Sequence, residues 1–190
     1  RESHEYEPEV RRVIKDIYGS GVNVERASDD LDMNEATDYI LEQDGVSVSL
    51  GFRTLNKFEI KRFPTITFRY TVNGLVTEWA KLPFYPRLYL YAYIDKDARP
   101  RRIDQYILVD MDAFRQSVIF KKINKNPSSY ARKNKDPTTL IPILWKDICV
   151  YVPDGPQMIR SSNMPEIEEL WLKEKKRLEQ EQRKNIALQF

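Results

Sequence analysis

The chain has one cysteine, Cys149, and one histidine, His4, in 190 residues. A single thiol can form neither an intramolecular disulfide nor a cysteine-based zinc site, and its scarcity leads us to expect a reducing, cytoplasmic setting. One histidine near the N-terminus argues against imidazole chemistry deep in the fold. Glycine is scarce, at six residues, so a glycine-rich phosphate loop is not expected. No run of ~18 apolar residues is present, as a membrane-spanning helix would need. The first residues are charged and lack the apolar core of a signal peptide.

What is abundant is aromatic and charged. Eleven Tyr, eight Phe and three Trp suffice for a real core. The net charge of +2 hides an asymmetry. Residues 1–50 carry 13 acids against 5 bases, and residues 51–150 carry 19 bases against 9 acids. An acidic stretch facing a basic one is common in proteins that act on nucleic acid; two ordinary solvated faces would read the same way.

The strongest local signal is the segment 37–53, TDYILEQDGVSVSLGFR. Asp44-Gly45 between two alternating runs marks a β-hairpin, because both residues tolerate positive φ. Val46, Val48, Leu50 and Phe52 are expected to point to the core. Ser47, Ser49, Gly51 and Arg53 point the other way, and Asp38 is expected to share the face of Arg53.

Around the hairpin, Glu5 to Tyr18 has helical spacing, with Val10, Val13, Ile14 and Ile17 on one side. Residues 23–34 are polar and acidic and read as a loop. Residues 65–72, 87–94 and 103–110 read as strands, and 87–94 as a central one because both its faces are apolar or aromatic. Residues 75–82 fit a short strand or a helical turn. Residues 111–120 fit a helix with Met111, Phe114, Val118 and Ile119 as core. Residues 121–135 form a basic loop in which Lys121, Lys122, Lys125, Arg132, Lys133 and Lys135 surround Tyr130. Such a loop can hold phosphate and stack a base, or be a plain surface loop. A short apolar strand is expected at 140–145. The stretch 153–164 reads as a linker, and a long helix starts at Pro165, anchored by Ile167, Leu170 and Trp171. The whole is an α/β (α+β) arrangement: a central mixed sheet with a core hairpin, flanking helices and a long C-terminal helix.

With the hairpin in place, the chain resembles the PD-(D/E)xK, or restriction-endonuclease-like, nuclease superfamily, in its phage and mobile-element form. There a helix precedes a hairpin whose first strand carries an Asp and whose second carries an acid and, two positions on, a Lys. Asp38 matches the Asp, and Gly51-Phe52-Arg53 stands at the E-x-K position. The resemblance covers roughly residues 5–150. It implies a nuclease-like domain over 1–152, which the linker over 153–164 and the helix over 165–190 then follow. It also implies Mg- or Mn-dependent phosphodiester hydrolysis with DNA as partner, Asp38 and Arg53 as catalytic positions and Asp38 as a metal ligand, for which Asp30 and Glu9 are candidate substitutes to complete the set.

The chain departs from the pattern at two positions. Gly51 offers no carboxylate, and Arg53 cannot act as a base because its pKa stays above ~12. Asp32, Glu42 and Glu59, the last within a literal E-x-K at 59–61, are further acids that could substitute. Three functions remain open: a metal-dependent DNA endonuclease, a non-catalytic nucleic-acid-binding protein, and an inactive module that meets a protein partner or acts as an inhibitor subunit.

Overall fold

A computed structural model describes residues 3–60, 64–134, 136–148, 159–162 and 164–187. Helix α1 (Ser3–Tyr18) places Tyr6, Val10, Val13 and Ile14 on one stripe, and all four are buried. Residues 23–34 are not a loop. They form strand β1 (Asn23–Arg26) and helix α2 (Asp29–Glu35). Val24 is the one buried residue of β1, which is why alternation could not reveal that strand. Ser28 caps α2 by accepting the Leu31 N–H.

Strands β2 (Tyr39–Gln43) and β3 (Val46–Asn56) are the hairpin. Asp44 and Gly45 both have positive φ, 52° and 77°, as a two-residue turn of the favoured twist requires. Leu50 and Phe52 are buried and Val48 is half-buried. Val46 is 62% exposed, against expectation, because the hairpin tip extends beyond the cover of α1.

Strand β4 (Thr65–Val72) turns at Asn73-Gly74 into the short β5 (Leu75–Val76), followed by the single helical turn α3 (Glu78–Lys81). Strand β6 (Leu88–Ile94) is buried at every residue, as its two-sided pattern implied. Strand β7 (Gln105–Asp110) leads into α4 (Met111–Gln116) and α5 (Val118–Lys125). The expected single helix over 111–120 is broken at Ser117, whose side chain caps α5 through the Phe120 N–H. Met111 and Phe114 are buried and Ile119 is partly so. The break turns Val118 outward to 83% exposure.

Strands β8 (Arg132–Lys133) and β9 (Thr138–Leu144), then α6 (Trp145–Ile148), follow. Within the stretch read as a linker, residues 159–162 form β10 (Ile159–Ser162) and pair with β7. The C-terminal helix α7 (Pro165–Ala187) begins at the expected proline. Met164 and Ile167 sit in the core, with Leu170 and Trp171 packed against it.

The fold is α+β. A six-stranded mixed sheet runs in the order β1-β2-β3-β6-β7-β10, with β3 and β6 parallel and the other pairs antiparallel. A four-stranded antiparallel sheet runs β5-β4-β9-β8. Helix α1 covers one face of the larger sheet, over Leu50, Phe52, Leu90 and Ala92. The other face presents Tyr89, Tyr91 and Tyr93 to Phe68, Ile66, Phe114 and Trp145. Alternation along β6 thus feeds two cores from one strand. No helix among the described residues is long and apolar enough to cross a membrane.

Candidate functional site

Asp38 precedes β2 by one residue. Tyr39 pairs with Leu50, so Asp38 stands opposite Gly51 and on the face of Gly51 and Arg53, away from α1. Its backbone N–H donates to Leu50 O at 2.9 Å. Its Oδ2 accepts the Phe52 N–H at 2.8 Å, a donor left without a strand partner where β2 begins. Burial pushes the Asp38 carboxyl up to about 6, with Asp32 and Glu78 adding to the rise and the Phe52 N–H and Arg53 opposing it.

Arg53 lies two residues beyond Gly51 and uses its planar fork twice. Nη1 donates to Thr67 O at 3.0 Å, and Nη2 donates to the Glu78 carboxylate. The pair is largely buried, with side chains 17% and 8% exposed. Burial works against the charge on Arg53, but Tyr89, the Glu78 carboxylate and Tyr91 together outweigh it and the group's pKa rises. Glu78 Oε2 also accepts the Arg69 N–H at 2.7 Å, and Oε1 accepts the Tyr89 hydroxyl. The Glu78 carboxylate thus takes three donors. Burial raises the Tyr89 phenol well above its ordinary pKa, so it stays a donor. A lysine could not serve Thr67 and Glu78 with the same fixed fork.

These groups line a cleft of about 510 Å³ between the two sheets. Asp32, Arg69, Lys81, Asn134 and Asp136 share its walls. Glu78 escaped the sequence reading as a site residue. Its only signal was an acid in the short, mostly apolar segment 75–80.

The acids named as metal ligands do not converge. Asp38 lies in the cleft and Asp30 is exposed on α2. Glu9 is on α1, across the sheet from Arg53. It accepts the Ile103 N–H at 2.9 Å and pairs with Arg12, which holds its carboxyl below the usual range against the cost of burial. Of the further acids, Asp32 reaches the cleft wall, while Glu42 and Glu59 are exposed outside it. Lys61 lies outside the described residues. Nor can position 51 carry an acid: a Cβ there would stand 2.8 Å from Cε2 of Tyr89 and 2.9 Å from Cγ of Pro86. No group of three His, Cys, Asp or Glu among the described residues could hold a metal. A hydrolytic Mg or Mn site needs several oxygen ligands, and this donor set does not fit one.

The basic residues of the expected loop are dispersed. Lys121, Lys122 and Lys125 are exposed on α5, which Phe120 and Ile123 anchor from beneath. Tyr130 packs against the core instead of standing free for stacking. Lys133 is exposed on β8, and Lys135 lies outside the described residues. Arg132 pairs with Leu140, which pairs with Arg69. The three share one sheet face, and Leu140 and Arg69 line the cleft. Arg69 and Arg132 are exposed; Arg132 donates to Ser129 O and Ala131 O, and the Asp136 carboxyl is lowered by its Thr138 hydrogen bonds, to which Arg69 adds. Comparison with protein-family models, with curated proteins and with solved structures returned no match.

Proposed function

We propose that this chain binds nucleic acid by its phosphodiester backbone across the cleft, on a nuclease-like core that does not hydrolyse it. The observation that carries this reading is the state of the hairpin face. Asp38 and Arg53 share one face of the hairpin and line the cleft, while the Tyr89 ring closes the space a second carboxylate would need. With Glu78 committed to Arg53, Arg69 and Tyr89, the remaining acids do not make a metal cage.

The binding chemistry falls to exposed cations. Arg69 and Arg132, in one row across β4, β9 and β8, meet successive phosphates and release counterions. The Arg53–Glu78 pair holds the two sheets in register and keeps the cleft open. A phosphate that approaches Asp38 meets a carboxyl already pushed up to about 6, so protonation relieves the repulsion at small cost.

A protein partner is a second reading. Beyond Trp171, no described residue of α7 belongs to either hydrophobic core or packs against it, which leaves a helix free for another chain.

The test is a binding titration of the full chain with labelled DNA and RNA in EDTA at rising salt. Affinity that falls log-linearly with salt supports the reading. Absence of binding at low salt overturns it and leaves the protein-partner reading.

A further inference from the structure

The loop that follows α3 carries two aromatic rings in solvent. Phe84 is 73% exposed and Tyr85 42%. Their position is fixed. Both backbone N–H groups donate to Lys81 O at 2.9 Å. Arg115, its side chain 13% exposed, donates Nε to Leu82 O and Nη2 to Pro86 O, each at 2.6 Å. One guanidinium therefore clamps both ends of the loop. Leu82 is fully buried, and Pro86 is buried against Gly51, the residue opposite Asp38. The loop is thus flanked by Lys81 in the cleft wall and by Pro86 against Gly51.

Large apolar rings held rigidly in water, on a loop that leaves a cleft wall carrying Lys81 and Arg69, suit a ligand with flat apolar faces and a phosphate backbone. Bases in a duplex hide those faces, whereas a single strand exposes them. We propose that Phe84 and Tyr85 form a base-stacking platform, so that the nucleic acid taken by the cleft is single-stranded. This rests on the nucleic-acid reading above and narrows its substrate class. Arg69 supplies the backbone contact, Lys81 being bonded through Nζ to Met33 O, and the clamped loop supplies the stacking surface without an ordering cost.

The experiment measures fluorescence anisotropy in EDTA with three probes: an oligothymidylate, an abasic strand of equal length and a duplex. The proteins are the wild type, Phe84→Ala/Tyr85→Ala, Phe84→Trp and Arg69→Ala. Because both rings are exposed, the double variant is expected to keep the wild-type urea midpoint. The expected result is preference for the oligothymidylate. The double variant loses roughly 5- to 150-fold on that probe alone, and the indole of Phe84→Trp is quenched on binding. Equal wild-type affinity for all three probes, with the double variant unchanged, overturns the platform. The cleft reading then stands if Arg69→Ala weakens every probe. Failure of the wild type to bind any probe removes both and leaves the rings as part of a protein-docking patch.

Discussion

Gly51 lies beneath the ring of Tyr89 so closely that a Cβ would come within 2.8 Å of Cε2. Tyr89 is itself buried and bonded to Glu78, so the ring has nowhere to move. Gly51→Ala is expected to destabilise the protein by about 1–3 kcal/mol through overpacking. In a Tyr89→Ala background the same change should cost less. Urea unfolding of the four proteins of this double-mutant cycle measures the coupling. Restoring the literal motif with Gly51→Glu and Arg53→Lys is expected to give misfolded protein, not an active nuclease.

The Arg53–Glu78 pair joins β3 to the turn beyond β5, 25 residues along the chain. Removing one partner leaves a largely buried charge, which costs about 3–5 kcal/mol. Glu78→Ala should reach that range, because Arg69 N–H and the Tyr89 hydroxyl lose their acceptor as well. The double replacement Arg53→Met/Glu78→Leu should cost less than the sum of the two single changes. An additive result by chemical denaturation would contradict the coupling.

The hairpin, its turn and the shared face of Asp38 and Arg53 were legible in the sequence, because period-two alternation and Asp44-Gly45 are purely local signals. The central place of β6 was legible for the same reason. Glu78 was not, because its partner on β3 is set by the packing of two sheets. Among the described residues strand β10 pairs with β7 alone, and its four residues carry no alternation strong enough to stand against the neighbouring Pro and Gly. Tyr130 looked free among cations, yet it packs on a core to which β4 and β6, far away in sequence, contribute.

Asp38 ties stability to pH. Its folded pKa lies above the ordinary carboxylate value, so the protonated form favours the native state. That contribution is complete below about pH 4 and is lost as pH rises through about 6. Asp38→Asn removes the charge and is expected to raise stability near neutral pH by about 1–3 kcal/mol. Near about pH 4 the two proteins should be alike. Urea midpoints at several pH values check this; a destabilised variant at neutral pH would contradict it.

Arg69 and Arg132 share the cleft-facing row, whereas Lys133 alternates to the other face of β8. Arg69→Ala and Arg132→Ala should each weaken nucleic-acid binding for all sequences and lower the salt slope by about 1. Lys133→Ala should change neither. Anisotropy titrations at several salt concentrations distinguish the three.

Binding without metal-dependent hydrolysis is tested most directly by one titration. A labelled single strand is titrated with the full chain in EDTA and again in Mn, and the strand is then resolved by size. The expected result is saturable binding of equal affinity in both, with the strand intact. Cleavage in Mn that disappears in Asp38→Ala would contradict the account, because it would mean that the cleft assembles a working metal site around Asp38 despite the ring over Gly51.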